Sequence, residues 1–261
     1  MAGATSAETG ALAERLRKSE IPEEVAKGLA RLCAELQDAA GAHLAGVILY
    51  GGVARGRYRP EKSDIDLAVL LHDASAPVLK KIGPVLHRAW QSQRVEALVL
   101  NLSDVSSLAS AFPVTILDIQ EQHICLWGSD PFQGLKPPLE NLRKRIAQEL
   151  WNLNLRLRRR YLFVTADLDE QWRILSEIAR PLAIELNWML YLQGQHLSDN
   201  DRTAAIFDLA SEVFQLDRQV LAELAILRQT TKSIPPSDLY SRVLGIVDRC
   251  AHLVNEISVP A

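Results

Sequence analysis

Cysteine is scarce in this sequence, and its few copies lie far apart. Cys33, Cys125 and Cys250 form no Cys-x-x-Cys pair, and an odd count suits no disulfide framework. A stapled, secreted scaffold is thereby excluded, and reduced thiols, buried and inert, are expected. The six histidines show neither a His-Glu-x-x-His pattern nor clustering with cysteine, so a zinc site lacks its ligands. No stretch reaches the roughly 18 uncharged apolar residues that a membrane helix needs. The opening residues, MAGATSAETGALAERLRKSE, lack an apolar run followed by a cleavage site. The expected location is the cytoplasm, without a membrane partner. An excess of positive charge is missing too: 29 basic against 32 acidic residues leave a net charge of -3. That argues against long nucleic acid as a partner, while local basic patches stay open.

What is present is enough apolar material for one large domain or two modest ones: 48% of 261 residues. Residues 22–40 read as an amphipathic helix. Val25, Leu29, Leu32, Cys33 and Leu36 recur at helical spacing, and Pro22 suits its first turn. His43 to Tyr50, Asp64 to Leu71 and Val95 to Leu100 are short apolar runs, read as strands. Residues 76–92 suit a helix that Gly83-Pro84 should bend or interrupt. Pro113 divides residues 103–127, which leave their assignment open; Ile124 to Trp127 allow one more strand. The segment GSDPFQGLKPP, residues 128–138, reads as a linker. Beyond it the strand signals stop, and residues 139–257 read as four or five helices. The expected organisation is a sheet-containing domain over residues 1–130, then a helical bundle over residues 139–261.

The stretch that carries chemistry is LYGGVARGRYRPEKSDIDLAVLL, Leu49 to Leu71. A strand ends in Gly51-Gly52, a short helix-compatible VARG follows, and a polar loop leads to Ser63-Asp64-Ile65-Asp66 at the start of the next strand. Glycines let a backbone approach phosphate oxygens without a Cβ in the way. A helix starting there aims N–H groups and its positive end at those oxygens. Asp64 and Asp66, two apart on a strand, place both carboxylates on one face. Oxygen ligands at that spacing suit Mg²⁺, which also binds triphosphate oxygens. Ile65, Leu67, Val69 and Leu71 then point the other way, into a core. A lone Asp-x-Asp is as often a pair of solvated turn residues; the combination with Gly-Gly and two strands outweighs that bland alternative.

These residues resemble the signature of the DNA polymerase β-like nucleotidyltransferase superfamily: an apolar residue, Gly, then Gly or Ser, followed downstream by Asp-x-Asp. Gly51, Gly52, Asp64 and Asp66 match it residue by residue, and Ser63 matches the small polar residue often found before the first aspartate. The resemblance implies an α+β fold, with a mixed sheet flanked by helices and then an all-α bundle. It also implies that Asp64 and Asp66 bind Mg²⁺, that Gly51, Gly52 and Ser63 face the triphosphate, and that a third acidic residue on a following strand completes the metal site or acts as base.

Glu96 is the best match for that residue, and it has its own physical case. It is the only charge within the apolar run VEALVL, and a buried carboxylate is costly without a metal or a donor. The competing reading puts Glu96 at an exposed strand start, paired with Arg94. Asp118 is the runner-up, and Asp104 is expected to cap a helix. Of Arg55, Arg57, Arg59 and Lys62, Arg55 lies closest to the glycines and is the expected triphosphate ligand. The arginines of LRLRRRYL, Arg156 to Arg160, read as a solvated helix face rather than an RNA site. Trp151, Trp172, Trp188, Tyr161 and Tyr191 read as bundle core, and Glu170, Glu177 and Glu185 are candidates to line an acidic pocket.

The two-part layout resembles the aminoglycoside adenylyltransferases, whose helical domain helps bind the drug. It also resembles minimal nucleotidyltransferases fused to a HEPN-like bundle, although the Arg-x4-6-His motif of that bundle is not evident. The function expected is Mg²⁺-dependent transfer of a nucleoside monophosphate, AMP from ATP, to an acceptor hydroxyl of a small molecule. Asp64, Asp66 and Glu96 would be the catalytic and metal residues, with Gly51, Gly52, Arg55 and Ser63 holding the nucleotide. Two alternatives remain: AMP transfer to a protein partner of toxin-antitoxin type, and a non-catalytic nucleotide-binding module. The oligomeric state is not legible.

Overall fold

Leu29, Leu32, Cys33 and Leu36 fall on one side of a single helix, α1 (Glu23–Ala40), and that side is buried. Pro22 caps this helix from outside instead of entering its first turn. The computed structural model describes Leu12, Leu16 and residues 21–60, 63–197, 202–229 and 238–259. Lys62 and most of the opening twenty residues lie outside these. The chain divides into two compact units, Met1–Pro137 and Pro138–Ala261.

In the first unit, β1 (Leu44–Tyr50) leads directly into α2 (Gly51–Ala54), a four-residue turn, and the chain returns as β2 (Ile65–Leu71). The crossover helix α3 (Ala76–Gln93) then delivers β3 (Val95–Asn101). Two short helices follow, α4 (Val105–Ala111) and α5 (Pro113–Glu121), before β4 (Ile124–Gly128). The strands form one sheet in the order β3-β2-β1-β4. β1 is antiparallel to β2 and β4, and β2 is parallel to β3, so the sheet is mixed. Strand alternation splits β2 between two cores. Ile65, Leu67, Val69 and Leu71 pack with residues of α1 and α3, while Ala68 and Leu70 pack with residues of α4 and α5. The sheet is thus covered on both faces.

Gly83-Pro84 does not interrupt α3, which runs through as one helix. Pro84 stands on an exposed position, where water can satisfy the carbonyl that lost its partner. Asp104 precedes α4 but makes no capping hydrogen bond; its carboxylate accepts from Asn101 Nδ2 and Ser103 Oγ instead.

The second unit contains, among the described residues, α6 (Leu139–Val164), α7 (Leu168–Leu192), α8 (Thr203–Val213), α9 (Arg218–Gln229) and α10 (Leu239–Leu253). Two of its buried polar side chains serve the backbone. Gln171 donates to the Val164 carbonyl at 2.7 Å, closing the end of α6. Asn187 donates to the Leu197 carbonyl at 2.7 Å and accepts from Leu197 N–H at 3.1 Å. Trp188 is fully buried, while Trp151, Trp172, Tyr161 and Tyr191 are only half-buried. Cys33 and Cys250 are buried free thiols; Cys125 is half-buried. No single helix among the described residues is long and apolar enough to cross a membrane.

Candidate functional site

The edge of the sheet where β1 ends and β2 and β3 begin gathers the acidic residues. Strand register places Tyr50 of β1 opposite Asp66 of β2, and Asp66 opposite Glu96 of β3. Ile65 and Leu67 point to the α1/α3 core, so Asp66 between them projects from the other face. Burial is the main cause that lifts the Asp66 carboxyl from its ordinary 3.8 to about 6, followed by the charges of Glu96 and Asp64; Arg55 opposes the rise. Tyr50 is pushed up to about 12, first by burial and then by Asp66, Glu96 and Asp118. Tyr50 and Asp66 therefore both feel the charge of Glu96.

Gly51 is required where it stands. Its φ of +72° favours glycine, and a Cβ built there would fall 2.2 Å from Asp66 Oδ2. The Asp66 carboxylate is thus seated directly against the turn that follows β1. A Cβ at Gly52 would meet nothing within 4 Å, so this backbone faces open space. The short helix expected after β1 is α2; with four residues it supplies unsatisfied N–H groups but little macrodipole.

The other expected residues are placed as follows. Asp64 precedes β2, and its Oδ1 accepts from Arg94 Nε at 2.8 Å and pairs with Arg94 Nη2 at 2.7 Å. Arg94 ends α3 in the left-handed region, φ 56°, with its guanidinium carbon 6.0 Å from the Trp90 ring centroid. The sequence offers Arg94 as a partner for Glu96; the structure gives it to Asp64. Glu96 is exposed rather than buried, because β3 is an edge strand and Glu96 is its second residue. The burial argument for it falls, while its adjacency to Asp66 stands on register.

Arg55 is not an uncommitted phosphate ligand. Its Nη2 donates to Glu121 Oε2 at 3.0 Å and to the Asp118 carbonyl at 3.2 Å. Glu121 and Asp118 both sit on α5, more than sixty residues away in sequence, a distance no local motif can bridge. Ser63 Oγ accepts from Arg59 N–H at 2.9 Å and so closes the polar loop. Arg57 is half-buried and Arg59 exposed. In the helical unit Glu170 and Glu177 are taken up by Arg173 and Arg160, and Glu185 is lifted to about 7 by burial, so these three do not form an open acidic pocket. The basic run is likewise divided: Arg158 pairs with Asp248 at 2.6 Å and Arg160 with Glu177 at 2.9 Å. In the first unit a cavity of about 600 Å³ beside Arg31 and Arg88 is lined by none of these acidic residues, and the helical unit has one of about 360 Å³ beside Phe214 and Arg249.

The donor set at the sheet edge is all oxygen, which suits a hard divalent cation. No group of three or more His, Cys, Asp or Glu side chains among the described residues forms a ready-made cage. Mg²⁺ does not need one, since it is commonly held by one or two carboxylates with substrate phosphates and water. Asp66 is desolvated beside the charges of Glu96 and Asp64 with Arg55 opposing them, so a hard cation placed there would meet a net negative environment.

Residues 28–110 match the family model described as a nucleotidyltransferase domain. No curated protein matches the chain. Among solved structures, the chain is similar to the spectinomycin adenyltransferase AAD(9) from Enterococcus faecialis, crystallised with ATP and spectinomycin. The TM-score is 0.51 at 10% identity, covering 86% of this chain and 98% of that one. A toxin-antitoxin structure with AMP-PNP aligns over 38% of this chain and 73% of that one, at 21% identity and a TM-score of 0.28. The first likeness speaks for the fold.

Proposed function

We propose that this protein, whose residues 28–110 carry a nucleotidyltransferase domain, transfers AMP from ATP to a hydroxyl group of a small-molecule acceptor, with Mg²⁺. The observation that carries the reading is the line Tyr50-Asp66-Glu96 across three strands, with Gly51 pressed against the Asp66 carboxylate. Asp66 and Asp64 would hold Mg²⁺, which supplies charge neutralisation at the triphosphate and polarises the reacting phosphoryl group. The exposed backbone at Gly52, with Gly51 before it, accepts the phosphates, and Ser63 keeps the adjoining loop in place. Arg55 plays a supporting part. Anchored on α5 by Glu121, it sets a fixed positive charge that moderates the field at Asp66.

Glu96 is accessible at the strand edge and takes the proton from the acceptor hydroxyl. The acceptor oxygen then bonds to the α-phosphorus, the bond from that phosphorus to the bridging oxygen breaks, and pyrophosphate leaves with the electron pair. Acceptor recognition is assigned to the helical unit, supported by a fold likeness to AAD(9) that covers most of the chain. The site of action would be the cytoplasm.

The test is incubation with α-labelled ATP and Mg²⁺ against a panel of aminocyclitol and aminoglycoside hydroxyl compounds. Label should move to one of them with release of pyrophosphate, and Asp66→Asn should abolish the transfer. Transfer that persists in Asp66→Asn would remove this site from the chemistry.

A further inference from the structure

The run of arginines on α6 has one feature that the nucleotide site does not use. Arg158 and Arg160 are engaged within the bundle, but Arg156 and Arg159 form no ion pair among the described residues. They share the outer side of α6 with three exposed apolar residues, Leu155 at 58%, Leu162 at 75% and Phe163 at 81% relative exposure. At 100° per residue, positions 155, 156, 159, 162 and 163 fall within about 120° of the helix surface. This is a single apolar and basic stripe about three turns long. Scattered exposed leucines need no explanation, but adjacent ones beside unpaired guanidinium groups mark a contact surface.

We propose that this stripe is the interface at which a second copy of the chain docks, the two α6 helices crossing antiparallel about a two-fold axis near Leu162. The stripe is complementary to itself. Asp167, exposed in the turn just beyond α6, uses one carboxylate oxygen to accept from Glu170 N–H at 3.0 Å. Arg156 stands about 8 Å before the midpoint between Tyr161 and Leu162, at 1.5 Å rise per residue, and Asp167 lies on the other side of that midpoint, in the turn after Val164. In an antiparallel pair that symmetry sets Arg156 of each copy against Asp167 of the other, twice over. Leu162 and Phe163 meet their own counterparts at the axis, and Arg159 lies over Phe163 of the second copy, a cation–π arrangement. The acidic turn argues against a flat anionic surface, such as a membrane or an RNA backbone, because Asp167 would be pressed against it. Three helical turns make a small interface, so the association is weak and concentration-dependent.

Sedimentation velocity of the full chain across the micromolar range tests this. The wild type should pass from monomer to dimer, and Phe163→Glu should raise the dissociation constant by at least about tenfold. Arg156→Glu should weaken the dimer as well, and Arg156→Glu combined with Asp167→Arg should restore it, with circular dichroism confirming that each variant keeps its helix content. A wild type that stays monomeric throughout would overturn the proposal. So would a dimer indifferent to Phe163→Glu. Co-sedimentation of the wild-type monomer with phosphatidylserine–phosphatidylcholine vesicles, lost in Phe163→Glu, would overturn it in favour of a membrane surface.

Discussion

In the helical unit Glu140 and Glu170 lie below their ordinary pKa because Arg143 and Arg173 bond them, whereas at the sheet edge Asp66 is pushed up to about 6 with carboxylates among its closest neighbours. The arginine-paired carboxylates are half-buried at the surface, within reach of water and salt, and such pairs contribute little each, typically under about 1 kcal/mol. The Asp66 cluster works against stability: neither Asp66 nor Glu96 forms an ion pair among the described residues. Like charges held together in this way are what the proposed Mg²⁺ would neutralise. Glu185 shows that burial alone is a different case. It rises to about 7 with Arg145 opposing and no carboxylate contributing.

The largest effect on this contrast is expected from Asp66→Asn. Transfer activity should fall by about 10³ or more, as when a group that acts mainly in the transition state is lost. Stability at neutral pH should rise. A carboxyl raised from 3.8 to about 6 in the native state loses stability as pH climbs through that window, on the order of 1 kcal/mol after solvent screening. Thermal melts at pH 4 and pH 7.5 check the sign: the variant should gain only at the higher pH. Gly51→Ala comes next. Its methyl would collide with Asp66 Oδ2 at a positive φ, so activity should drop at least tenfold and stability by about 1–3 kcal/mol. Full activity there would show that the seat of Asp66 is not needed.

Glu96→Gln should cut turnover by about 10², the usual scale for a lost general base. It should also lower the apparent pKa of Asp66, because Glu96 is the largest charge raising it. NMR titration of the Asp66 carboxyl reads this directly, and an unchanged value would sever the pair. Glu185→Gln sharpens the comparison from the other unit. Wild-type stability should fall between pH 4.5 and about 7 by on the order of 3 kcal/mol, as burial resists ionisation. The variant should lose that slope and keep full nucleotide binding.

Much of the local geometry around Asp66 was legible in the sequence. Period-two alternation from Ile65 to Leu71 fixed which side Asp66 takes, and Gly51-Gly52 marked the turn beside it. The family resemblance pointed to Glu96, which register sets opposite Asp66, while the burial argument failed on an edge strand. What stayed hidden was long-range. Arg55 meets Glu121 across 66 positions, and Asp64 meets Arg94 across 30. Such pairs form only once the sheet and α5 are assembled. The uninterrupted α3 also escaped, because a proline on an exposed helix position leaves its orphaned carbonyl to water. The smallest expected effect belongs here: Arg94→Ala should release Asp64 and raise Mn²⁺ affinity a few-fold, as read by electron paramagnetic resonance.

The central claim is that Asp66 and its neighbours take a metal–triphosphate. Calorimetric titration of ATP with Mg²⁺ into the wild type and into Asp66→Asn tests it most directly. Binding should require Mg²⁺ in the wild type and weaken in Asp66→Asn by at least tenfold, about 1.4 kcal/mol. No binding at millimolar ATP, or equal binding by both proteins with Mg²⁺ omitted, would contradict it.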